Sequence, residues 1–222
     1  MRKAFTIMEL IFVLIVIGII AAFVIPNTRS NPLQEAAIQL VSHIRLTQHL
    51  ALTDDRYDAT DPKWYMEMWQ IRFTPGNTSS QQGVAYVIYS DTSHTQHPEK
   101  NEIAVDPISG LYIDGGVVNN DYGDPDLLKN ANLGKAYGVK DIDFTPSCSY
   151  HQSKRIAFDY LGRPIKGDVS SPSSSSTFLG ALKYIQDTCR ITLCSTEDCS
   201  ISSKSEKVVI LIEPETGYVR IE

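Results

Sequence analysis

Apolar and polar positions divide the chain into three stretches. From Leu10 to Ile25 every residue is apolar or Gly, and between Phe5 and Ile25 the single charge is Glu9. Such a run matches the roughly 20 residues that cross a bilayer as a helix. Arg2 and Lys3 ahead of it predict an N-terminus on the cytoplasmic side, with the rest of the chain exported. Pro26 lacks a backbone donor and predicts a kink or break. Helical periodicity then resumes. Leu33, Ala37, Leu40, Ile44 and Ala51 recur every three to four residues, with Thr47 in the polar gap, which predicts an amphipathic helix over 31–53. Gln34, Gln39, Arg45 and Gln48 are assigned the opposite face. His43 and His49, six residues apart, are assigned to the surface or rim.

From Tyr57 onward the pattern turns to strands. Trp69, Ile71 and Phe73 alternate within 65–73, and 84–89 reads as a second strand. Short candidates at 103–105 and 111–113 flank a turn at 107–110. Residues 114–126 form a Gly/Asn/Asp loop. Residues 155–165 read as strand, Gly turn, strand, and 191–193 as another strand. Residues 208–213 and 218–221 make a closing hairpin around Pro214–Gly217. The Ser-rich piece 170–176, with Pro172 inside, reads as a loop between strands.

Composition adds two constraints. The 222 residues carry a net charge of −6, which disfavours nucleic acid as a partner. The four cysteines, at 148, 189, 194 and 199, do not fall at zinc-ribbon spacings, and an even count in an exported domain predicts two disulfides. Three connectivities are open. The favoured one closes a short loop with Cys194–Cys199 and ties two strands with Cys148–Cys189.

Glu9 decides how the first stretch is read. An ordinary secretory signal or a plain anchor leaves it unexplained, yet a carboxylate in a spanning segment is costly and marks function. The sequence Ala4-Phe-Thr-Ile-Met-Glu-Leu10, with its basic leader, Gly18, Ala21–Ala22 and Pro26, resembles the signal of type IV prepilins and type II secretion pseudopilins. In that family nearly every member has Gly where Ala4 stands. The resemblance implies cleavage between Ala4 and Phe5 by a prepilin peptidase, N-methylation of Phe5, and a register-setting role for Glu9 during assembly. Gly18 and Pro26 would bracket a weak helical stretch. Phe158-Asp-x-x-Gly-Arg-Pro164, the Pro-Glu-Thr-Gly-Tyr ending and the helix over 40–52 resemble the H-type minor pseudopilins.

The implied fold is α+β and type IV pilin-like, a long N-terminal helix with a membrane-spanning first half packed on an antiparallel head. Its parts are a leader (1–4), a transmembrane and assembly helix (5–26), an amphipathic continuation (27–53) and a β-rich head (54–222). The implied localisation is the bacterial inner membrane, single-pass, with a periplasmic head. Implied partners are other pilins, the peptidase and the inner-membrane assembly platform. The function is then that of a minor pseudopilin in type II secretion, or a minor pilin of a type IV or DNA-uptake pilus.

No catalytic motif occurs, and the chain is not expected to be an enzyme. A membrane-anchored exported binding module or enzyme is the alternative. No cofactor or metal is expected, apart from calcium held by oxygen donors at Asp114, Asp121, Asp124 and Asp126; a solvated turn-rich loop is the leading reading there. His94 and His97 are read as exposed loop residues.

Overall fold

Helix α2 spans Pro32–Thr53 and organises the globular part of the molecule. Pro32 stands at its first position, where a missing N–H costs nothing, and Glu35 lies in the first turn, where the helix dipole favours an acid. Its buried stripe runs Leu33, Ala36, Ala37, Leu40, Val41, His43, Ile44, Thr47 and Ala51. The protein is seen here as a computed structural model that describes residues 6–24, 31–74, 83–95, 97–118, 123–150, 153–167, 169 and 183–222.

Among the described residues the strands form two antiparallel sheets of four. The first contains β1 (Gln70–Thr74), β2 (Ala85–Tyr89), β4 (Arg155–Phe158) and β5 (Pro164–Lys166), in the order β2-β1-β4-β5. The second contains β3 (Asp141–Phe144), β6 (Cys189–Cys194), β7 (Lys207–Ile212) and β8 (Val219–Ile221), in the order β3-β6-β7-β8. One apolar core joins them to α2. Leu40 and Ile44 share it with Ile71 and Phe158 of the first sheet and with Ile191 and Ile210 of the second. Phe73 and Phe144 meet edge-on across the two sheets, with ring centroids 5.3 Å apart. A short helix, α3 (Leu133–Tyr137), also packs on α2.

Strand β2 is buried along its whole length. Its second face meets Ile103 and Val117, and isolated bridges pair Ala85 with Asn132, Val87 with Asp114 and Tyr89 with Ile103. The stretch after β2 thus folds back as its cover. Strand β6 carries a disulfide at each end. Cys148–Cys189 ties its start to the turn after β3, and Cys194–Cys199 ties its end to the following loop, with Cα atoms 5.2 and 5.5 Å apart.

Residues Met1–Asn31 cluster apart from Pro32–Glu222. Within them α1 runs Ile7–Val24. The fold is therefore not the pilin-like one expected. In place of one long helix on one sheet, the described residues form α1, α2 and the short α3 with two four-stranded sheets. α1 contains 18 residues, about 27 Å of helix at 1.5 Å per residue, against about 30 Å of hydrocarbon. Among the described residues no helix is long and apolar enough to cross a membrane. The expected transmembrane segment, and with it single-pass inner-membrane anchoring with a periplasmic head, is corrected accordingly. The described helix begins after Thr6 and is followed to Val24.

Two finer expectations also change. The strand expected over 65–73 begins at Gln70, because Trp64–Glu67 is a 3-10 turn. His43 is not at the rim. It is buried, and its Nδ1 lies 2.6 Å from the Tyr86 hydroxyl. Pro26, Asn119, Asn120, Asp121 and the Ser-rich piece 170–176 lie outside the described residues, as do Ala4 and Phe5.

Candidate functional site

The segment Thr6-Ile-Met-Glu9 has the spacing of a capping box, in which a Thr hydroxyl accepts from the third residue of the helix. The Glu9 amide does donate to Thr6 Oγ1, at 3.3 Å, and to the Thr6 carbonyl, at 3.1 Å. Glu9 thus sits in the first turn, where the helix dipole favours a carboxylate. Every residue from Thr6 to Ile20 is exposed, including Phe12, Leu14, Ile15 and Ile17. Gly18 lies inside α1, and a methyl group there would meet nothing within 4 Å.

The globular part carries a second feature, a cleft of about 530 Å³. Its floor is the turn between β4 and β5. Gly162 adopts a φ of +76°, a conformation that costs a glycine little. Asp159, 1% exposed, organises this turn. Its Oδ1 accepts from the amides of Leu161 (3.0 Å) and Arg163 (2.8 Å). Its Oδ2 accepts from Arg163 Nε at 2.8 Å and from the Tyr184 hydroxyl at 3.2 Å. The Arg163 guanidinium lies 4.5 Å from the Tyr184 ring centroid. Burial, helped by the Asp159 charge, raises the Tyr184 pKa. The wall is aromatic. Tyr57 meets Trp64 edge-on at 5.0 Å and lies 6.4 Å from Tyr160. An aromatic wall over a floor with one fixed Arg–Asp pair suits a ligand that combines a flat face with a few polar groups.

No family model, curated protein or solved structure matches this chain. Its chemistry is therefore read from its own residues.

Of the oxygen donors considered for calcium, the described ones, Asp114, Asp124 and Asp126, do not gather around one point. Asp114 is buried, with its oxygens accepting from the amides of Val117 (2.6 Å) and Val118 (3.1 Å), and burial raises its pKa. Asp124 and Asp126 do come together, but around the Lys100 ammonium, at 2.9 and 2.8 Å. That contact lowers the Asp124 pKa. Lysine thus provides at this loop the positive charge that an ion would bring.

The cleft residues were only partly visible in the sequence. Asp159, Gly162 and Arg163 belong to the Phe158–Pro164 pattern, whose Asp-to-Arg spacing of four signals a turn closed by an ion pair. Tyr57 and Trp64 lie in an irregular stretch without periodicity. His97 is exposed as expected, whereas His94 is half-buried, with Nε2 3.0 Å from Glu67 Oε1.

Proposed function

We propose that the chain is a subunit of a pilus-type filament of the pseudopilin kind, a minor component that assembles through α1. The observation that carries this reading is that α1, apart from Glu9, is apolar on every face and exposed from Ile7 to Ile20. A helix without a polar face is stable only when it is surrounded. Each Ile, Leu, Val, Phe or Met moved from exposure to burial contributes about 1.5–3 kcal/mol. The dozen such residues exposed on α1 outweigh the roughly 4–15 kcal/mol lost on association. Copies of the same helix, bundled side by side, are the surrounding that this proposal names. Cleavage between Ala4 and Phe5 would create an amine one turn from Glu9, and the Glu9 carboxylate would pair with that amine on a neighbouring copy. The chain then acts by assembly rather than by catalysis, with type II secretion as the machine it serves.

The contact Glu9 makes with Thr6 runs through its backbone amide, which a change of side chain leaves in place. Gln keeps the size and helix-terminus preference of Glu, but it carries no charge. In cells making the companion subunits, Glu9→Gln is expected to leave this protein stable while removing it from sheared filaments. Incorporation of that variant at the normal level would overturn the ion-pairing role.

The cleft favours a second reading, that of an exported binding module whose ligand occupies the aromatic wall. Trp64 fluorescence reports on it. Normal filament incorporation of a Tyr57→Ala, Tyr160→Ala variant that has lost ligand binding would assign the cleft a role separate from assembly.

A further inference from the structure

Three residues converge at one point, of which Asp61 also lines the cleft. Asp61 lies in the irregular segment after α2, Glu67 closes the 3-10 turn Trp64–Glu67, and His94 stands in the turn after β2. One nitrogen or carboxylate oxygen from each lies within 4.8 Å of the other two, and all three residues are half-buried. Ligand atoms in one zinc shell, at bond lengths of about 2.0–2.2 Å, stand roughly 3–4 Å apart, so small side-chain rotations close the site.

The two parts of the backbone are already fastened to each other. Ser90 Oγ donates to the Glu67 carbonyl at 2.6 Å. The turn bearing His94 is held by two buried carboxylates. Asp91 accepts from the Thr95 amide at 3.1 Å, and Glu102 accepts from the Ser93 amide at 2.6 Å and from Thr92 Oγ1 at 3.0 Å. His94 itself takes a φ of +56°, a conformation uncommon outside Gly and one in which Asn, Asp and His are enriched. The imidazole is thus presented toward Glu67 before any ion arrives.

Charge favours a cation. Arg56 lies 3.8 Å from Glu67 Oε2, but its Nη2 and Nε are engaged by Asp54 Oδ2 at 2.5 and 2.8 Å. With Arg56 matched by Asp54, Asp61 and Glu67 bring two carboxylates to the His94 imidazole. One nitrogen and two oxygen donors suit a first-row transition ion, whereas calcium takes six to eight oxygens. We propose that Asp61, Glu67 and His94 bind one divalent transition-metal ion, with zinc the best fit, and that it pins the Asp58–Trp64 wall of the cleft to the turn after β2. The remaining coordination position is left to water. This site stands independently of the filament reading.

The test uses the full chain, stripped with EDTA and titrated with zinc chloride. One equivalent is expected to bind, and at a hundredfold excess over Kd the melting temperature rises by about 5–10 °C. Calcium chloride gives no such rise. His94→Asn retains a residue that tolerates positive φ, and Glu67→Gln retains size. Each is expected to weaken zinc binding at least tenfold while the metal-free melting temperature stays near that of the parent. His97→Asn binds as the parent does. Zinc X-ray absorption of the unmodified protein provides a readout that needs no variant, and one imidazole in an otherwise oxygen shell is expected. Absence of saturable one-to-one binding, undiminished binding by both site variants, or a shell with two imidazoles would each overturn the site.

Discussion

His43 Nδ1 and the Tyr86 hydroxyl oxygen are 2.6 Å apart inside the core, on α2 and β2 respectively. The proton directions follow from their neighbours. Tyr137 donates to Gln39 Oε1 at 2.5 Å, and Gln39 Nε2 donates to the Tyr86 oxygen at 3.2 Å. The one Tyr86 proton is therefore given to His43 Nδ1, so the imidazole is neutral. Burial lowers the His43 pKa, against the raising influence of Asp106.

Stability should consequently fall on mild acidification. The unfolded chain takes up the His43 proton near its ordinary pKa of about 6.5, whereas the folded chain resists to lower pH. The contribution is complete above that value and is lost as pH drops from there toward the folded pKa. Urea midpoints at pH 7.5 and 5.5 check it, and His43→Gln should flatten the difference. Tyr86→Phe takes a partner from the buried His43 Nδ1 and from the half-buried Gln39 amide nitrogen and should cost about 1–3 kcal/mol at pH 7.5.

Asp159 holds the turn that floors the cleft. Asp159→Ala strips two backbone amides, Arg163 and Tyr184 of their acceptor, with an expected loss of about 2–4 kcal/mol. That figure lies below the full cost of breaking a buried pair because Arg163 is partly exposed. Asp159→Asn keeps an oxygen for the amides and should lose only about half as much. Thermal unfolding of the two variants, alongside ligand-independent Trp64 fluorescence, separates destabilisation from distortion of the cleft.

The two disulfides should differ in weight. Cys148–Cys189 spans 41 residues and Cys194–Cys199 spans 5. By loop-closure entropy these are worth about 4 and about 2 kcal/mol. Paired Cys→Ser variants, measured by denaturant unfolding without reductant, should show that order. Equal losses would mean that native packing at the ends of β6 outweighs the entropy of the unfolded chain.

Processing can be read by mass. If the N-terminal resemblance carries the family's chemistry, co-expression with a prepilin peptidase should yield a peptide beginning at N-methylated Phe5. A peptide that retains Met1 would remove the amine that Glu9 is proposed to pair with.

The sequence pattern reports elements that bury one face and misses those defined by other parts of the chain. Helix α2 is legible because its apolar stripe repeats over 22 residues. β7 and β8 are legible as apolar runs bracketing Pro214–Gly217. His43 was assignable in principle, being three residues after Leu40 and four before Thr47, both buried. Its polarity hid a position that its spacing gave away. β3 is a four-residue Asp-Ile-Asp-Phe stretch, too short for alternation to register, and it is fixed by pairing with β6. The expected single sheet became two because periodicity identifies strands but says nothing about which ones pair. The cleft and the Asp61–Glu67–His94 cluster depend on irregular segments whose positions only the tertiary fold determines.

The cover over β2 has a consequence for crowded assemblies. An open sheet edge is a template on which a second chain can add a strand. At one end of the first sheet, β2 is already bridged by Ile103, Asp114 and Asn132. At the other end, β5 starts with Pro164 and is bridged at Ile165 by Tyr184. Among the described residues neither margin of that sheet offers a free row of backbone groups. Many copies could therefore be held side by side at very high local concentration without this sheet fusing to its neighbours.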